Sequence, residues 1–209
     1  MTRSFFIFLL ILLGLPSLSR GEQPIDVLQR NINRGIAILK DPQYLNVNKK
    51  TAQQEELCEA AWQLFDFKEF SKRILAYRWR SFSPTQRQQF IDVFAEFLCK
   101  YYLTRLQERY ADEKVIYLGQ RLINDSKASV RVNVLWKGLE VPVEVRMLNR
   151  NGTWKVYDII VLGISGVQNY RAQFQELLLR VSPSQVITLI ENRIKMEEEK
   201  AVTKNTGDN

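Results

Sequence analysis

The chain has 209 residues, of which 45% are hydrophobic and 25% charged, and a formal charge of +7. That length suffices for one domain with a real core, and that composition excludes a disordered chain. The chain contains no histidine, which excludes a Ser-His-Asp triad, a Cys-His pair and any His-bound metal.

Residues 1–21, MTRSFFIFLLILLGLPSLSRG, begin with Arg3 and continue in an unbroken apolar run from Phe5 to Leu13. Gly14 and Pro16 follow, then the small residues Ser19 and Gly21 around Arg20. This is the pattern of a cleavable signal peptide. The run is shorter than the about 20 apolar residues a membrane anchor needs. The mature protein is therefore expected outside the cytoplasm. Loss of Arg3 and Arg20, with no acid before Glu22, lowers the formal charge from +7 to +5. A basic exported protein can meet anionic lipid or an acidic partner. Nucleic acid is not expected as a partner in that compartment.

Residues 22–200 read as a single domain, helical as far as about Tyr110. Ile25, Leu28, Ile32, Ile36 and Leu39 recur at three- and four-residue steps until Asp41-Pro42 stops the helix. A second helix from about Thr51 carries Leu57, Ala61, Leu64 and Phe65 on one face. Asp66 and Glu69 have capping-box spacing and open a short helix with Phe67, Phe70 and Ile74 inward. Ser83, Pro84 and Gln86 then give the strongest start signal, an N-cap, a proline at the first helical position and a capping box. The helix they open reads without a break to Tyr110 and carries an aromatic face of Phe90, Phe94, Phe97, Tyr101 and Tyr102. Cys58 and Cys99 lie in these helical patterns. Their even count permits a disulfide in an oxidising compartment, and their core-side positions equally suit buried thiols.

From Val115 the period changes to two. Val130, Val132, Val134 and Trp136 alternate with polar residues, as do Leu139, Val141, Val143, Val145 and Met147. A tight turn at Lys137-Gly138 pairs Trp136 with Leu139 and Val134 with Val141, which puts both apolar sets on one face. Asn151-Gly152 predicts a second hairpin, and Pro142 a bulge or interrupted ladder. With the segment before them these make a four-stranded antiparallel meander. Helices return after Gly163, with Val167, Tyr170, Phe174 and Leu177 on one face, and again after Pro183. Residues 201–209 read as a polar tail that frays. The fold class is α+β, a sheet with one apolar face covered by several helices.

Two blocks carry a family resemblance. Trp154, Asp158, Ser165, Tyr170, Arg171 and Phe174 lie in an aromatic-Lys-Val-Tyr-Asp strand, a Ser turn and an Asn-Tyr-Arg-x-x-Phe helix. Phe65-Asp66-Phe67, Trp79 and the Ser-Pro-x-Gln-Arg-x-x-Phe run from Ser83 to Phe90 form the second block. Together they resemble the MlaC, or toluene-tolerance auxiliary, family over essentially the whole mature chain. Ala76 departs from the pattern, because the family usually has Gly there.

The resemblance implies a monomeric, cofactor-free, non-enzymatic phospholipid carrier in the periplasm of a Gram-negative cell, with a lipid cavity between sheet and helices. It also implies two partners, an inner-membrane ABC transporter with a substrate-binding ring and an outer-membrane lipoprotein–porin complex. The role implied is upkeep of outer-membrane lipid asymmetry. On that reading the cavity wall is expected from Val132, Val134, Val141, Val143 and Val145 in the sheet. The helices are expected to add Phe94, Leu98, Tyr102, Tyr170 and Phe174. Each of these is also what an ordinary core contains. Asp158 interrupts an apolar strand, and a buried carboxylate needs a partner. Arg171 is the expected partner. The residues themselves leave open a carrier of another amphiphile such as a hopanoid, an enzyme with Asp158 as base, and a peptide-binding scaffold.

Overall fold

The computed structural model describes residues 21–207. The expected leader through Arg20 lies outside the described residues. Helices α1 (Pro24–Lys40), α2 (Lys50–Leu64), α3 (Phe67–Leu75), α4 (Pro84–Leu98) and α5 (Thr104–Arg109) precede the sheet. The sheet comprises β1 (Lys114–Asn124), β2 (Lys127–Trp136), β3 (Leu139–Arg150), β4 (Thr153–Val161) and β5 (Ile164–Ser165). Helices α6 (Gly166–Leu177) and α7 (Pro183–Gly207) close the chain. The last helix therefore carries the segment expected to fray on to Gly207.

The strands pair in sequence order and every pair is antiparallel. The expected four-stranded meander gains one short strand, because Leu162 (φ 51°) and Gly163 (φ 82°) turn the chain back as β5. Lys137-Gly138 and Asn151-Gly152 also have positive φ at both positions, the backbone that matches strand twist in a two-residue hairpin. The register follows from the first of these turns. Trp136 pairs with Leu139, Val134 with Val141 and Val132 with Val143.

Pro142 does not interrupt this ladder. It pairs with Asn133 in an unbroken β2–β3 register. Its carbonyl accepts from Leu162 N on the β4 side, so its missing N–H also points that way, past the end of the β3–β4 ladder. The bulges lie elsewhere, between Tyr117 and Gly119 and between Leu122 and Asn124 in β1, and opposite Arg146/Met147 in β4. The β4 bulge inserts Tyr157. It thereby keeps Val156 and Ile159 on the apolar face and turns Asp158 to the other side.

That turn decides the partners of Asp158. The carboxylate is 3% exposed and accepts from Ser165 Oγ at 2.7 Å and Val167 N at 3.0 Å. Its nearest cation is Arg146, at 3.8 Å. Arg171, the expected partner, instead donates from Nε to the Arg73 carbonyl at 2.9 Å. The group that braces the hinge into α6 is thus a hydroxyl and a backbone N–H. Ser165 itself caps α6 by accepting from Gln168 N.

Two cores result. Val130, Val132, Val145, Met147 and Val156 pack under α1 through Val27 and Leu28. Phe70, Phe90, Phe94, Phe174, Val186 and Ile190 form a separate core among α3, α4, α6 and α7. The single helix expected from Ser83 to Tyr110 is split by a π turn at Cys99–Leu103. Such one-residue expansions rotate everything after them on the helix axis. The Ser83–Gln86 capping box is present in both directions.

Ala76 closes α3 with φ 49° and ψ −124°, a region that glycine enters freely and an L side chain does not. Residual strain of this kind costs of order 1–3 kcal/mol, and glycine returns about 0.4–1 kcal/mol of that through the freer unfolded chain. Ala76→Gly is therefore expected to stabilise the fold by about 1 kcal/mol, a rise of roughly 2–4 °C in melting temperature. A lower denaturant midpoint for the variant would show that Ala76 is unstrained.

Candidate functional site

The apolar face of the sheet is wider than the helices that lie on it. α1, α2 and the segment that runs from the π turn into α5 lie over it. Between them and the sheet is a cavity of about 610 Å³. The floor is Val132, Val134, Val143, Val145, Val156 and Ile159. Leu28, Ile32 and Leu39 of α1 and Leu57, Ala61 and Leu64 of α2 form one wall. Tyr102, Leu103 and Leu106 continue it beyond α2, with Leu103 packed against Leu57 and Ala60. These walls carry almost no polar surface. The volume lies within the roughly 300–1,000 Å³ typical of small-molecule sites.

The cavity opens to solvent. Tyr102, Leu106 and Trp136 all line it and are still 49%, 42% and 41% exposed, which marks the mouth. Arg105, Arg109, Tyr110 and Glu113 also reach the lining, from α5 and the segment after it. Arg105 is already engaged, 3.5 Å over the Tyr101 ring and 3.6 Å from Glu197. Arg109 is exposed and makes no hydrogen bond or ion pair among the described residues. It is thus a cation at the mouth with coordination to spare. Tyr102 ties the mouth to the helical core through a 3.0 Å hydroxyl contact with Tyr170. Burial, and then this contact, push the Tyr170 hydroxyl well above the usual tyrosine range.

Of the ten residues expected to form the wall, Tyr102, Val132, Val134, Val143 and Val145 line the cavity. Val141 shares their sheet face but lies outside the lining. The structure places the other four elsewhere. Phe94 and Phe174 are buried in the helical core, and Leu98 and Tyr170 pack against it. Phe94 stacks on Phe90 at 5.4 Å and meets Phe174 edge-on at 5.4 Å. A period of 3.6 identifies an inward face and is silent on which layer that face meets. The α1 and α2 residues were legible as apolar stripes, and nothing in their spacing tied them to the sheet rather than to other helices.

Among the described residues no group of three or more Cys, Asp or Glu side chains is placed to hold a metal. No helix among them is long and apolar enough to cross a membrane.

Comparison with known proteins matches the same stretch. The family model described as MlaC protein covers residues 29–192. The toluene tolerance protein ttg2D of Pseudomonas putida is 27% identical over 175 residues, covering 82% of this chain and 81% of that protein. The intermembrane phospholipid transport system binding protein MlaC of Haemophilus influenzae is 26% identical over 102 residues, 46% of this chain and 47% of that one. In fold, the chain is similar to the phospholipid-binding protein of Ralstonia solanacearum solved in complex with a phospholipid. The TM-score is 0.75 at 22% identity, over 85% of this chain and 99% of that one.

Proposed function

The chain belongs to the MlaC protein family, and from that premise we propose that it is a periplasmic phospholipid carrier. The acyl chains lie in the cavity between the sheet and α1, α2 and α5, and the headgroup stays at the mouth beside Arg109. The carrier takes lipid to and from an outer-membrane lipoprotein–porin complex and an inner-membrane ABC transporter ring. No covalent chemistry is part of its cycle.

The observation that carries this reading is the cavity itself, about 610 Å³, walled by apolar side chains and open at one end. An apolar slot of that size leaves its own lining short of packing partners. Lipid supplies them. Two acyl chains of about sixteen carbons would cost on the order of 25 kcal/mol to expose to water, at about 0.8 kcal/mol per CH₂. Unassisted crossing of an aqueous compartment is negligible at that cost, and a soluble slot offsets it. The unpaired Arg109 guanidinium matches a phosphodiester in charge and geometry. The relatives named for phospholipid binding and transport support the same cargo.

Protein purified from its own host is expected to carry diacyl phospholipid, detectable by native and denaturing mass spectrometry. Loaded with fluorescent phospholipid, it should transfer the label to acceptor liposomes that carry the inner-membrane ring, with no added metal or nucleotide. A polycyclic lipid in the purified protein would redirect the reading to another amphiphile. Conversion of the label into a new species would replace carriage with catalysis.

A further inference from the structure

Cys58 and Cys99 are not used by the carrier function described above, yet the fold brings them together. α2 lies antiparallel to the helix that runs through the π turn, and the two are joined rung by rung. Gln107 Nε2 donates to the Lys50 carbonyl at 2.9 Å and to Gln53 Oε1 at 2.7 Å. One step along, Gln54 Nε2 donates to Thr104 Oγ1. The next position on the same face of α2, four residues on, is Cys58. On the facing segment it is met by Cys99, five residues before Thr104. The extra residue is the one the π turn inserts. An uninterrupted α-helix would present Lys100 there instead. This register sets the two thiols facing each other across the helix pair; both are unbonded, Cys58 is partly exposed and Cys99 is buried.

We propose that Cys58 and Cys99 are a disulfide site, whose oxidation pins α2 to the π turn and so sets the width of the cavity. The two segments it joins are neighbours in the cavity lining, with Leu103 packed against Leu57 and Ala60. Leu57, Ala60 and Ala61 flank Cys58, while Tyr102, Leu103 and Leu106 follow Cys99. A lipid that enters by parting these two segments must do so against the cross-link. The consequence for lipid rests on the carrier reading, whereas the thiol chemistry does not.

The reaction is thiol–disulfide exchange with an oxidised donor, either a low-molecular-weight disulfide or the disulfide of an oxidoreductase. Cys58 attacks one donor sulfur, which forms a mixed disulfide and expels the first donor thiolate. Cys99 then attacks the Cys58 sulfur, which forms the internal bond and expels the second. The two thiol protons pass to the two leaving thiolates, and the donor gains the two electrons. The order of attack follows from the local electrostatics. The hydrogen bond from Cys99 holds the Cys58 thiol below its usual range, with Lys100 adding to the effect against burial. The same contact and burial push Cys99 up. The accessible thiol is therefore the better nucleophile.

The test treats the reduced wild-type protein with oxidised glutathione and follows intact mass, free thiols, melting temperature and exchange of a fluorescent phospholipid with vesicles. The expected product has lost two hydrogens and both free thiols, carries no glutathione, and melts roughly 5–15 °C higher, as a cross-link closing a long loop should. It also exchanges lipid several-fold more slowly, and dithiothreitol reverses each change. Cys99→Ala should stop at a glutathione adduct on Cys58. Persistence of that adduct in the wild type, or no reaction in the folded state, would overturn the site. A disulfide that leaves lipid exchange unchanged would overturn the clamp. A disulfide with the higher melting temperature but no lipid bound in either state would support the site and count against the carrier reading instead.

Discussion

Val143→Trp is expected to abolish lipid retention while leaving the protein folded, and Phe174→Trp to do the reverse. Val143 lines the cavity floor opposite Val132, so an indole there enters open space. Phe174 is 7% exposed and meets the stacked Phe90 and Phe94 rings edge-on, at 5.3 and 5.4 Å. Enlarging a side chain in such a packed core costs about 1–3 kcal/mol, or roughly 3–10 °C in melting temperature for a domain of this size. The pair of variants therefore separates the two apolar compartments by opposite readouts, co-purified lipid and thermal midpoint. A Val143→Trp protein with a full lipid load would remove the cavity from the mechanism. Loss of lipid from a stably folded Phe174→Trp protein would bring the helical core back into it.

Asp158→Ala should be among the most damaging single substitutions in the chain. The alanine removes the acceptor of two buried donors, the Ser165 hydroxyl and the Val167 N–H. Each buried donor left without a partner costs about 1–3 kcal/mol, which gives a loss of roughly 2–5 kcal/mol in unfolding free energy. The loss falls on the turn that feeds α6, so lipid retention should decline with stability. Arg146→Met is the control. Its guanidinium is 3.8 Å from the carboxylate and 40% exposed, a geometry worth little in water. Urea titrations should show a large shift for the first variant and a small one for the second. Similar small shifts would mean that Asp158 does not brace the hinge.

What the residues determined alone was local and periodic. The Ser83-Pro84-Gln86 start of α4, the hairpins at Lys137-Gly138 and Asn151-Gly152, and the Trp136–Leu139 register were all legible. In each case a backbone conformation or a two-residue period leaves one arrangement that buries the apolar set. The absence of histidine likewise removes whole classes of chemistry by composition alone. Tertiary structure decided which apolar surfaces meet and where they fail to meet. The stripes containing Phe94 and Phe174 are as apolar as those containing Leu57 and Leu64, yet the former pack on one another and the latter border a cavity. One inserted residue in β4 moved Asp158 to the face away from the cavity and gave it Ser165 in place of Arg171. Another, in the π turn, set Cys99 against Cys58. Neither insertion leaves a mark in the period of the sequence. Burial is a property of a single face, whereas a cavity and a contact pair depend on the distance between two faces, which only their packing sets.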